Sequence, residues 1–147
     1  MNSVRLFALT VALCAASAAH AIEFKSVGAA PAVLYDAPSA KGHKLFVAPR
    51  GMPVEVILTY GDWTKVRDAS GDLSWIESKA LTPRRNVMVT NANARVRANS
   101  DDAAPVVFTA DKGVLLEIID TAATGWVRVR HRDGQSGFVR AADVWGE

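Results

Sequence analysis

Past its first two dozen residues the chain is built from short apolar runs. Val, Ile and Leu runs are broken roughly every 8 to 12 residues by Gly, Pro, Asn or Asp, the spacing of an all-β sandwich or small barrel. Few segments carry the 3.6-residue period of an amphipathic helix. The clearest predicted unit is Gly125-Trp126-Val127-Arg128-Val129-Arg130, then Asp133-Gly134, then Gly137-Phe138-Val139. This reads as two strands joined by a tight turn, because Gly after Asp takes positive φ without strain. A spaced copy lies upstream in Gly61-Asp62-Trp63-Thr64-Lys65-Val66, Gly71-Asp72 and Ser74-Trp75-Ile76.

The copying extends over the whole pattern. Val27, Leu34 and Gly51-Met52-Pro53-Val54-Glu55-Val56 match Val89, Val96 and Gly113-Val114-Leu115-Leu116-Glu117-Ile118 at an offset of 62. One extra residue before Trp126 moves the offset to 63. Trp63, Val66, Gly71, Trp75 and Leu81 then fall on Trp126, Val129, Gly134, Phe138 and Val144, with identical intervals of 3, 5, 4 and 6. Two tandem β units are therefore expected, over residues 22–82 and 86–147. Thr82-Pro83-Arg84-Arg85-Asn86 separates them, since Pro83 cannot donate to a ladder and Arg84-Arg85 prefer water. A β unit of about 60 residues buries little surface, so the two are expected to pack together or share a short rigid linker.

The N-terminus changes the picture of where this fold resides. Arg5 precedes an apolar run, Leu6 to Leu13, and small residues lead to Ala19-His20-Ala21. That is the pattern of a signal peptide over residues 1–21, cleaved after Ala21, which predicts a periplasmic or secreted protein. At about 15 residues the run is short for a bilayer span, so no stable membrane insertion is expected after cleavage. Cleavage leaves 16 basic against 15 acidic side chains, far from the strongly basic face of a nucleic-acid binder. The sole cysteine, Cys14, leaves with the signal, and with it any disulfide, thiolate metal site or Cys nucleophile.

Little remains for catalysis. The mature histidines, His43 and His131, occupy unrelated positions in the two copies, and no His, Asp or Glu cluster has metal-ligand spacing. No nucleophile-elbow sequence is present. No cofactor and no enzymatic activity are expected.

The repeated residues resemble the bacterial Src-homology-3-like (SH3b) family. Val89-Thr90-Asn91-Ala92-Asn93-Ala94-Arg95-Val96-Arg97 resembles its opening strand, Gly113 to Ile118 its Gly-led strand, and Gly125-Trp126 and Gly137-Phe138-Val139 its Gly-aromatic strands. The resemblance implies two small five-stranded SH3-like barrels. The first copy departs from it, with Ser74 at the usual Gly and Val33-Leu34-Tyr35 in place of the opening element. That copy also resembles the eukaryotic relatives, whose Leu-Tyr-Asp element is matched by Leu34-Tyr35-Asp36. A proline-rich ligand needs a ladder of aromatic faces. Tyr35 and Trp63 would supply two, but Glu77 and Ala80 stand where the groove has Pro and Tyr. The second copy has Arg97, Arg140 and Asp143 at the equivalent places beside Trp126, so a proline-rich groove is incomplete in both.

Two sets of side chains remain. Trp75 and Phe138 begin the closing strands and are expected as core aromatics. Tyr35, Trp63 and Trp126 are candidate binding aromatics. Arg97, Arg128 and Arg130 are candidate partners for carboxylates, since Arg128 and Arg130 alternate along one strand and so point to one face. The acidic residues of the first copy could instead meet these arginines and dock the repeats. The expected function is that of a non-catalytic tandem binding protein for peptidoglycan stem peptides or an envelope protein. The alternative is an adaptor that docks a partner protein without cell-wall affinity. Burial of both Trp63 and Trp126 would remove the main support for a binding face.

Overall fold

A computed structural model describes residues 20–121 and 124–147. The expected signal peptide lies almost wholly outside the described residues. No helix among them is long and apolar enough to cross a membrane.

The all-β expectation holds, as a repeat. The first unit contains β1 (Glu23–Val27), β2 (Ala32–Tyr35), β3 (Lys44–Ala48), β4 (Pro53–Tyr60), β5 (Trp63–Arg67), β6 (Leu73–Glu77) and β7 (Leu81–Thr82). The second contains β8 (Asn86–Val89), β9 (Ala94–Arg97), β10 (Val106–Ala110), β11 (Leu115–Thr121), β12 (Trp126–Arg130), β13 (Ser136–Arg140) and β14 (Val144–Trp145). One 3₁₀ turn precedes each last strand, at Ser78–Ala80 and Ala141–Asp143. The sheets run in the orders β3-β2-β6-β5-β4-β1-β7 and β10-β9-β13-β12-β11-β8-β14, which are one order written twice. Each unit thus has seven strands where five were expected. One of the two additional strands in each unit is a two-residue strand, β7 or β14, which closes on β1 or β8 and is too short to show as alternation.

The repeat extends to irregularities. β4 pairs with β5 through a register shift between Val56 and Leu58, and β11 with β12 through one between Ile118 and Asp120, 62 residues on. The matched apolar positions are the ones that turn inward. Val27, Leu34, Ala48, Val54, Val66 and Ile76 lie in the first core, and Val89, Val96, Ala110, Leu116, Val129 and Val139 in the second. Each such Val or Leu contributes about 1.5–3 kcal/mol by leaving water.

The two units touch through a small packed joint. Trp145 stands edge-on to Phe24 with ring centroids 5.1 Å apart. The Arg85 guanidinium lies 5.7 Å over the same Phe24 ring. Asn86, buried, donates from Nδ2 to the Gly51 carbonyl at 2.9 Å, and Met88 packs against the first core. Gly146 is required here: its φ is +119°, and a Cβ would stand 2.7 Å from the Asn86 carbonyl oxygen and 2.9 Å from Pro53 Cβ. Among the described residues, no acidic side chain of the first copy forms an ion pair with the second. Glu55 pairs with Arg67 and Glu77 with Lys79, both within their own unit, because those partners lie across a ladder or two residues away.

Candidate ligand-binding site

Alternation along β12 and β13 sends Val127, Val129 and Val139 inward and Trp126, Arg128, Phe138 and Arg140 to the outer face. Register then decides which of them meet. Trp126 is opposite Arg140, and Arg128 is opposite Phe138, which is in turn opposite Arg97 on β9. The Arg140 guanidinium carbon lies over Trp126, 4.8 Å from its ring centroid, a cation–π distance. The same guanidinium is held by Asp102, from Nε to Oδ1 at 3.0 Å and from Nη2 to Oδ2. Arg97 donates from Nη1 to the Ala104 carbonyl at 2.8 Å, which ties β9 to the loop that carries Asp102.

These contacts leave a depression of about 370 Å³ whose walls include Arg95, Arg97, Arg140, Asp102 and Asp143. Asn93 beside it takes φ of 57°, a conformation Asn tolerates better than most residues. Asn91 donates from Nδ2 to Asp143 at 2.8 Å, occupying that carboxylate. Of the two acidic groups, Asp102 alone faces the arginines as a partner, and its side chain is 61% exposed against 46% for Arg140. An ion pair so open to water contributes at most about 1 kcal/mol. A second carboxylate can therefore compete for Arg140 at small cost.

The first unit has the same row with other groups. Lys65 is opposite Trp75, which is opposite Tyr35. Lys65 Nζ lies 5.9 Å over the Trp75 ring, and the Arg128 guanidinium lies at the same distance over Phe138. Tyr35 and Trp63 meet edge-on at 5.4 Å. Opposite Trp63 stands Glu77, paired with Lys79 at 2.9 Å, so the position of Arg140 is acidic here.

The expected site residues therefore separate into groups. Arg97 lines the depression with Arg140, while Trp126 lies beneath Arg140, only 9% exposed and outside the aliphatic core cluster. Tyr35 is 8% exposed and Trp63 half-buried against it. Arg128 caps Phe138. Arg130 is elsewhere, bonded to Glu117 at 3.0 Å toward the joint between the units. Trp75 and Phe138 are half-buried on the outer face, since their neighbours Ser74, Ile76, Gly137 and Val139 take the inward positions. Asp102 lies outside the expected set, and Arg140, which the groove comparison sets beside Trp126, is not among the expected carboxylate partners. Counting back from the Asp133-Gly134 turn would have placed Arg140 opposite Trp126.

Comparison with known proteins identifies the fold family. The sequence profile described as "Bacterial SH3 domain" matches residues 28–83 and again residues 90–146. The chain belongs to this bacterial SH3 family. Its two repeats are two such domains in tandem. No curated protein matches it. Among solved structures it is similar to NlpC2 from Trichomonas vaginalis at 12% identity, covering 86% of this chain and 49% of that one, with a TM-score of 0.40. NlpC1 from the same organism gives 13% identity, 95% and 51% coverage and a TM-score of 0.40. An NlpC/P60 family protein from Bacillus cereus gives 18%, 84% and 56%, and 0.39. The chain spans about half the length of each of these proteins.

Proposed function

We propose that this tandem SH3 protein is a non-catalytic, exported binding protein whose ligand is the peptide portion of peptidoglycan, taken on the outer face of the second repeat. The reading rests on one arrangement: a guanidinium over Trp126 whose ion-pair partner among the described residues is a largely exposed carboxylate. Stem peptides carry carboxylates, and a bidentate guanidinium is the side chain suited to them. Asp102 would act as an internal stand-in that the ligand carboxylate displaces, while Arg95 and Arg97 raise the local positive potential. Trp126 would supply an apolar wall once Arg140 swings toward its new partner.

The test is sedimentation with purified sacculi. Wild type is expected in the pellet, and a Trp126→Ala, Arg97→Ala double variant in the supernatant. If wild type also stays in the supernatant, the cell-wall reading is lost.

A second reading is favoured by one observation. Edge strand β3 exposes Leu45, Phe46 and Val47, each by more than half, and a free edge can take an added strand. An envelope protein docking there would make this an adaptor without cell-wall affinity. Co-purification that survives Trp126→Ala and is lost on Phe46→Lys separates it from the first.

A further inference from the structure

We propose that the cleft between the two repeats is a second binding site, for a phosphate-bearing polyanionic chain. The cleft measures about 1190 Å³, more than three times the depression beside Arg97 and Arg140. Its walls come from both units and from the segment between them. Arg50 belongs to the first repeat, Arg84 to the connection, and Arg130 and Arg132 to the second repeat; His131 stands between the last two. Glu117 is the single acidic residue on the walls. Four guanidinium groups against one carboxylate give the cleft a net charge of +3 with His131 neutral, more than the +2 of the entire chain.

Glu117 is already engaged by Arg130 at 3.0 Å. Arg50, Arg84 and Arg132 are exposed and form no ion pair among the described residues. Like charges gathered in one concavity repel, and their field is focused toward a ligand of opposite sign. The arrangement is held in place by the joint itself, because Asn86 and Gly51, whose hydrogen bond links the repeats, both line the cleft.

The walls also distinguish between anions. They carry no Phe, Tyr or Trp with which to read peptide side chains, and of the four edge strands only β7 reaches them, through Thr82. Recognition here is by planar guanidinium forks spread over two domains and a linker. That suits a chain with charge on every monomer, and phosphate groups accept such forks bidentately.

Short-chain inorganic polyphosphate is the probe, titrated against the folded two-repeat protein. Binding is expected to weaken as salt rises, through release of the counterions condensed on the polyanion. An Arg50→Ala, Arg132→Ala pair, one change on each wall, should lower affinity by about tenfold or more, the scale of two lost charge-assisted hydrogen bonds. A Lys41→Ala, Lys44→Ala pair removes the same charge from outside the cleft walls and should stay within about twofold of wild type. All four positions are exposed, and thermal unfolding of both pairs should match wild type. Equal losses in the two pairs would reduce the effect to net charge and overturn the proposal. Tighter binding of poly-aspartate of matched length would replace the phosphate chain with an acidic protein. Inorganic phosphate binding as tightly as the polymer would exclude a chain altogether.

Discussion

The row Lys65, Trp75, Tyr35 crosses three strands of the first repeat, and Arg128, Phe138, Arg97 crosses the same three in the second. Inward of these rows the repeats agree: Val66 and Val129, Ile76 and Val139, Leu34 and Val96 are all buried. Outward they have separated. Trp63 is opposite Glu77 and leans on an aromatic, whereas Trp126 is opposite Arg140 and lies under a cation. The interior requires apolar volume and tolerates a change from Ile to Val. The outer face has no such constraint, so the first repeat sets an ion-paired Glu77 opposite its tryptophan where the second sets Arg140. If the outer faces bind, the two repeats should therefore differ in their preference for anionic ligands.

The largest test asks whether the repeats are independent at all. Ile76→Ala removes a fully buried side chain from the first core and should cost about 2–5 kcal/mol. With Phe24 against Trp145 and Asn86 on Gly51, the second repeat is expected to lose stability with the first, in one calorimetric transition. Two transitions, only one of them shifted, would make the joint energetically silent.

A charge exchange comes next. Arg140→Glu gives the second repeat the first repeat's residue and should lower sacculus binding about tenfold, near 1.4 kcal/mol. Glu77→Arg in the first repeat should raise it, measured by the same sedimentation assay. Unchanged binding in both would show that the outer faces do not decide the ligand.

The smallest test concerns the turns. Asp133 accepts from the Gln135 backbone N–H and side-chain amide, both at 2.9 Å, and these bonds, with His131 behind them, hold its carboxyl below the usual range. A lowered folded pKa stabilises the protein above the ordinary carboxylate range, and the contribution is lost as pH falls through the folded value. The difference in Tm between wild type and Asp133→Asn should therefore shrink on acidification. The turn of the first repeat is built differently, with Asp68 accepting from the backbone N–H groups of Ser70 and Asp72.

How much of this was legible depended on distance along the chain. The repeat was readable because its matched residues are the buried ones, and burial constrains residue type at fixed spacing. Two-residue strands such as Val144–Trp145 leave no alternation to read. Arg140 over Trp126 follows from one hairpin's register, a local quantity. Asp102 is 38 residues from Arg140 and belongs to a polar loop whose path no periodicity specifies. The inter-repeat cleft depends on Phe24 meeting Trp145, at opposite ends of the folded region, and nothing in either segment announces the contact.

One pairing has a consequence for how such a chain lengthens. In each repeat the first strand lies beside the last: Ser26 faces Thr82, and Met88 faces Trp145. A unit therefore finishes where it started, and three residues, 83–85, suffice to begin the following one. No long return path has to be accommodated when a copy is gained or lost. Genes encoding such a unit can be duplicated in frame and still yield a foldable product, with each new copy free to acquire its own surface.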